Sequence, residues 1–141
     1  MIIYKGFMVL SCLFICSLMI SCGEEVKHTL LTYKSGGETY VYSVSDKRLS
    51  EVPEWKSVKS EMPLSINKAC SEAEKWMTKT YQDTQYDLKY VKLEYDLCEI
   101  QGSQTKVWHF EISFQSSARS RKKVLVLLDG SIVEPNKAKN N

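Results

Sequence analysis

The sequence predicts an α+β domain in which one main helix packs on an antiparallel meander of about four strands, preceded by an N-terminal β-hairpin and an irregular crossover. Three patterns carry that prediction. Apolar residues recur at intervals of three and four from Ile66 to Tyr81; apolar and polar residues alternate at 91–97 and 108–114; and Gly36-Gly37 and Asp129-Gly130 separate runs of strand-forming residues, where hairpin turns need positive φ. The 141 residues, 43% hydrophobic and 26% charged, suit one globular domain. A formal charge of +2, spread along the chain, leaves no field strong enough to hold a nucleic acid.

Thr29–Tyr33 and Glu38–Val44, rich in Thr, Tyr and Val, read as the two strands of the hairpin. Residues 45–64 lose that pattern and carry Pro53 and Pro63, so they read as the crossover, anchored by Trp55. Ser65 can then cap a helix onto which Leu64 staples. Its apolar stripe is Ile66, Ala69, Cys70, Ala73, Trp76 and Met77, with Lys68, Glu72, Lys75 and Lys79 on the other face. Past Gln82-Asp83-Thr84 the period changes from 3.6 to 2. Val91, Leu93, Tyr95 and Leu97 alternate with Lys92, Glu94 and Asp96, a turn follows at Gln101-Gly102-Ser103, and Trp108, Phe110, Ile112 and Phe114 alternate with His109, Glu111, Ser113 and Gln115. Both strands then have one apolar and one wet face. Val124–Leu128 is apolar at every position, as a strand covered on both faces would be, and Asp129-Gly130 returns the chain through Ser131-Ile132-Val133. The expected core joins Ile66, Ala73, Trp76 and Met77 to Leu93, Trp108, Phe110, Ile112 and Val126.

The first residues have a different character. Lys5 precedes an uncharged run from Gly6 to Ile20, which ends at Ser21-Cys22-Gly23-Glu24-Glu25. The run is too short for a spanning helix, which needs about 20 apolar residues, and suits a cleavable signal. Leu18-Met19-Ile20-Ser21-Cys22 resembles the lipoprotein signal of bacteria, in which small residues precede a cysteine that receives lipid. That resemblance implies a signal peptide over 1–21, acylation of Cys22, and a location in the cell envelope, at the outer membrane, periplasmic or surface-facing. Residues 22–28 then read as a lipidated tether, 29–135 as the single domain and 136–141 as a frayed Lys-Asn tail.

Within that domain Cys70 and Cys98 remain, and an oxidising envelope permits them to pair. Cys70 lies on the helix stripe, whereas Cys98 is in the opposite strand phase from Val91 and Leu93, so a disulfide needs a bulge to repair the phase and two free thiols need none. His28 and His109 have no second ligand at a zinc-like spacing, and neither a metal nor a cofactor is expected. There is no Gly-x-Ser-x-Gly, no glycine-rich phosphate loop leading into a helix, and no histidine placed to activate a cysteine, so the chain does not read as an enzyme. Arg119, Arg121, Lys122 and Lys123 form the one local charge excess and read as a solvated loop tip.

Pro53 and Trp55, Pro63-Leu64-Ser65, Ala69, Ala73 and Trp76, Trp108 and Phe110, and Leu127, Asp129 and Gly130 follow a pattern that resembles the PepSY-like and cystatin-like group of small bacterial envelope domains. The resemblance implies a non-enzymatic envelope protein that modulates a protease or joins a larger assembly. The expected function is thus protein–protein contact by a lipid-anchored domain, with the membrane and an envelope protein as partners and no nucleic acid. The alternative is a surface-displayed binder of a glycan or other small ligand in an aromatic cleft. The expected contact surface is the wet face of the sheet, where Tyr90, His109, Glu111 and Arg121 combine aromatic area with paired charge.

Overall fold

The computed structural model describes residues 24–138, so the expected signal segment and Cys22 lie outside the described residues. The chain forms β1 (Lys27–Ser35), β2 (Glu38–Ser45), α1 (Asp46–Glu51), α2 (Ile66–Thr80), β3 (Tyr86–Ile100), β4 (Ser103–Ser116), β5 (Arg121–Leu127), β6 (Ile132–Val133) and β7 (Pro135–Lys137). It is an α+β protein with two antiparallel sheets, ordered β3-β4-β5-β6 and β1-β2-β7. The four-stranded meander matches the expectation. The hairpin does not stand apart as a preceding unit, because it joins β7 in a second sheet that covers the other face of the first.

Two apolar clusters result, one on each side of the meander. Towards α2 lie Phe110, Ile112, Val124, Val126 and Leu128 with Ala69, Ala73 and Met77, and Val91, Leu93, Trp76 and Trp108 pack around them. Towards the smaller sheet lie Leu125, Leu127, Val107, Cys98 and Ile100 with Leu30, Tyr40, Tyr42 and Val44. Consecutive residues of β5 therefore enter different clusters, which is why that strand is apolar throughout. Each large side chain sealed here contributes about 1.5–3 kcal/mol of transfer free energy.

The local signals act where expected. Ser65 Oγ accepts from the Lys68 N–H at 3.2 Å and caps α2. Gly36 and Gly37, at φ of 61° and 79°, make the tight turn between β1 and β2 that a side chain would strain. Ala69 and Ala73 are fully buried and let the helix approach the sheet closely. Ile66 departs from the expected core at 52% exposed, since it sits on the first turn of α2, beyond the end of the sheet's cover.

Both ends of the expected domain and the crossover need correcting. Residues 27–28 belong to β1 instead of the tether, and His28 Nε2 lies 2.8 Å from Asp46 Oδ1. Residues 136–138 are not frayed: Tyr42, Val41 and Tyr40 pair with Pro135, Asn136 and Lys137, and the Ala138 N–H donates to Thr39 O at 2.9 Å. Pro135 is tolerated because β7 is an edge strand. The crossover contains α1, capped by Ser45 and tied by Arg48, whose Nη2 donates to Ser131 Oγ at 2.9 Å and Ile132 O at 2.8 Å. Among the described residues, no helix is long and apolar enough to cross a membrane.

Candidate contact surface

Tyr90, His109, Glu111 and Arg121 do not form a surface. The face of β4 that should meet water carries His109 at 2% and Glu111 at 3% exposure, because β1 and β2 fold across it. Nothing in β4 itself announces this. Alternation shows that these side chains point away from α2, but the partner layer comes from a hairpin far away in the chain. Arg121 is exposed at the start of β5, where its carbonyl accepts from Ser35 Oγ at 3.0 Å, and Tyr90 lies at the sheet margin.

The buried polar groups between the sheets satisfy one another. Glu111 Oε1 accepts from Lys123 Nζ at 2.6 Å and from Tyr90 Oη at 2.7 Å. Burial pushes the Glu111 carboxyl up, but the Lys123 ammonium and the Tyr90 hydroxyl together outweigh that push and hold it below the usual carboxylate range. Burial likewise pulls Lys123 down, and its bond to Glu111 more than restores it, leaving the ammonium above its ordinary value. Tyr42 Oη donates to Lys123 O, the Lys123 N–H donates to Tyr33 Oη at 3.3 Å, and burial drives the Tyr42 hydroxyl far above its usual titration. Glu111, Lys123 and Tyr90 thus form an ion-paired cluster within the four-stranded sheet, and the Tyr42 and Tyr33 hydroxyls tie the Lys123 backbone to the hairpin that covers it.

The expected basic tip is correspondingly dismantled. Lys123 is half-buried on Glu111, and Lys122 lies over the rings of Tyr40 and Tyr81 at 5.0 and 5.1 Å, which leaves Arg119 and Arg121 to the solvent. Cys70 and Cys98 are unpaired and belong to opposite clusters, with the sheet between them; no bulge repairs the phase near Cys98. Burial raises both thiols, which makes them poor nucleophiles. Among the described residues no three His, Cys, Asp or Glu side chains converge as a metal requires.

What does lie open is the outer part of β3. Val91 and Leu93 are half-buried under α2, but the same row continues as Tyr95 and Leu97, 47% and 59% exposed, where the helix no longer reaches. Tyr95 rests on Trp108 at 4.8 Å between ring centroids, and Trp55 meets the same indole at 4.9 Å, so the row grows out of a rigid aromatic base. A second feature is a shallow cleft of about 510 Å³ between the end of α2 and the start of β3. Tyr81 and Tyr86, 5.5 Å apart, line it beside Asp83 and Gln85.

No family model matches the chain, and no curated protein or solved structure matches it. The residues of the PepSY-like and cystatin-like pattern occupy a cap (Ser65), close-packing positions (Ala69, Ala73), core positions (Phe110, Leu127) and a turn (Asp129, Gly130).

Proposed function

We propose that this chain is a lipid-anchored, non-enzymatic protein of the bacterial envelope, attached through Cys22, that works by binding another protein along the exposed row of β3. The observation that carries the reading is the row itself: Tyr95 and Leu97 are the most exposed apolar residues of β3, at 47% and 59%, and Leu88 and Tyr90 lie open on the same strand. Surface patches of this kind mark contact sites, and tyrosine is among the residues favoured there. Anchoring to a membrane raises the effective concentration of any neighbour, so a modest contact suffices. The PepSY-like resemblance agrees with such a role in an envelope assembly or in restraint of a protease.

A photoreactive residue at position 97, introduced into the full chain in intact cells, tests the contact. A discrete protein adduct at 97, with none from the exposed helix position 79, supports the reading; labelling at neither position contradicts it. Fatty-acid labelling tests the anchor, and label that persists in Cys22→Ala removes that part. The glycan or small-ligand alternative draws on the Tyr81–Tyr86 cleft, and saturable glycan binding lost in Tyr81→Ala would favour it over contact.

A further inference from the structure

β3 is the edge of the four-stranded sheet, paired with β4 alone among the described residues. Half of its backbone N–H and C=O groups therefore point outward, unused by its own sheet. Strands this long are seldom left open, because they template pairing with another chain, and proteins commonly guard them with charge, bulges or cover. Here α2 lies mostly over β4 and β5 and touches β3 only in part, and the bulge between Leu88 and Tyr90 sits near one end, leaving the run from Tyr90 onward regular.

On that run Lys92 precedes Glu94, Asp96 and Glu99, while Asp87 and Lys89 lie before it, on the side of the bulge. Such a strand is complementary to itself in the antiparallel sense only. A parallel second copy would set Lys92 against Lys92 and Glu94 against Glu94. An antiparallel copy turned about Leu93 sets Lys92 against Glu94 twice, and Tyr90 against Asp96 twice. On the other face the same register sets Leu93 against Leu93 and Val91 against the exposed Tyr95 twice, with Leu97 beyond that apolar stretch on the side of Lys89. Within one strand Lys92 Nζ and Glu94 Oε1 lie 4.0 Å apart at 55% and 48% side-chain exposure, so pairing across the two-fold exchanges that loose, solvated contact for one between copies. Directly opposed pairs of these kinds are the stabilising unit of a sheet, and like charges in the same places oppose it.

We infer that β3 pairs antiparallel with β3 of a second copy about a two-fold axis near Leu93, joining the two meanders into one continuous sheet. The inference rests on the contact reading and names its partner. The two-fold makes the interface isologous, so each cross-pair occurs twice. The two-dimensional confinement of a lipid anchor favours the encounter without demanding a large interface.

Two measurements on the full acylated chain in its own membrane test this. Leu93→Cys should give a disulfide-linked dimer under mild oxidation, while Leu97→Cys should not, since in this register the two copies of position 97 lie far apart. Independently, Lys92→Glu should reduce the dimer fraction seen by sedimentation in detergent by tenfold or more, Glu94→Lys should do the same, and the double exchange Lys92→Glu with Glu94→Lys should restore it. Those positions are exposed, so the exchange does not depend on whether Leu93→Cys folds. A monomer at all concentrations, or a double exchange that fails to restore the dimer, overturns the inference. Trapping of a different protein at position 93 also overturns it, while leaving the contact reading intact.

Discussion

Replacing Glu111 with Gln removes one charge from the seam between the sheets and leaves its shape. The Lys123 ammonium, 2.6 Å from the carboxylate, then has no countercharge, while Tyr90 keeps an acceptor. Breaking a buried pair on one side costs about 3–5 kcal/mol; Lys123 retains 20% side-chain exposure and can turn partly to water, so the lower figure of about 3 kcal/mol applies. At roughly 4 °C per kcal/mol for a domain of this size, the thermal midpoint should fall by roughly 10 °C at neutral pH. The pH dependence follows from the direction of the shift. Glu111 is held below its unfolded value of about 4.3, so its contribution is complete above that pH and fades as pH falls through the lower, folded value. Lys123 is held above its unfolded value, so its contribution is complete below about pH 10.4 and fades as pH rises through the higher, folded value. Urea titrations of wild type and Glu111→Gln from pH 3 to 8 should show a constant gap above about pH 5 that narrows in acid. Adding Lys123→Met should recover most of the loss, because it removes the uncompensated buried ammonium and leaves the new amide at position 111 with the Tyr90 hydroxyl. A gap below 1 kcal/mol at pH 7, or one equally wide at pH 3, would refute the reasoning.

Met77→Ala should cost about 2–5 kcal/mol and Ile66→Ala well under 1 kcal/mol, although one stripe contains both, and chemical denaturation distinguishes them. Deleting residues 135–141 should lower the midpoint by several degrees through loss of the β2–β7 pairing, and an unchanged midpoint would place those residues outside the fold. Ellman's reagent, without reductant, should titrate both Cys70 and Cys98 in denaturant and react with Cys98 slowly in the native protein; absence of free thiol in denaturant would mean the pair is bridged.

Legibility in the sequence followed the range of the interaction. Ser65, Gly36-Gly37 and Asp129-Gly130 act on their immediate neighbours, and the elements they delimit are present. Periodicity also gave the direction of side chains correctly. Phe110 and Ile112 do point away from His109 and Glu111, and the doubly apolar β5 does lie between two layers. Periodicity carries no information on how far a covering layer extends, and the misses are of that one kind. Ile66, Tyr95 and Leu97 point the right way but lie beyond the cover, whereas His109 and Glu111 point towards what alternation reads as water and meet a second sheet. Lys123 belongs with them, since the pairing with Glu111 follows from the β4–β5 register, set by a polar link too featureless to predict. Short α1 and β7 were illegible for a related reason: tertiary partners such as Ile132 O and β2 stabilise them more than their own residues do.

Hydroxyl-radical footprinting in two settings addresses the central claim, that the β3 row is covered by protein in the cell. In the purified chain, diluted until monomeric, Tyr95 and Leu97 should be oxidised readily while Tyr42 and Phe110 are protected. On intact membranes the account predicts that Tyr95 and Leu97 become protected to a similar degree, with exposed Val58 unchanged as the internal reference. Equal oxidation of Tyr95 and Leu97 in both settings would contradict it.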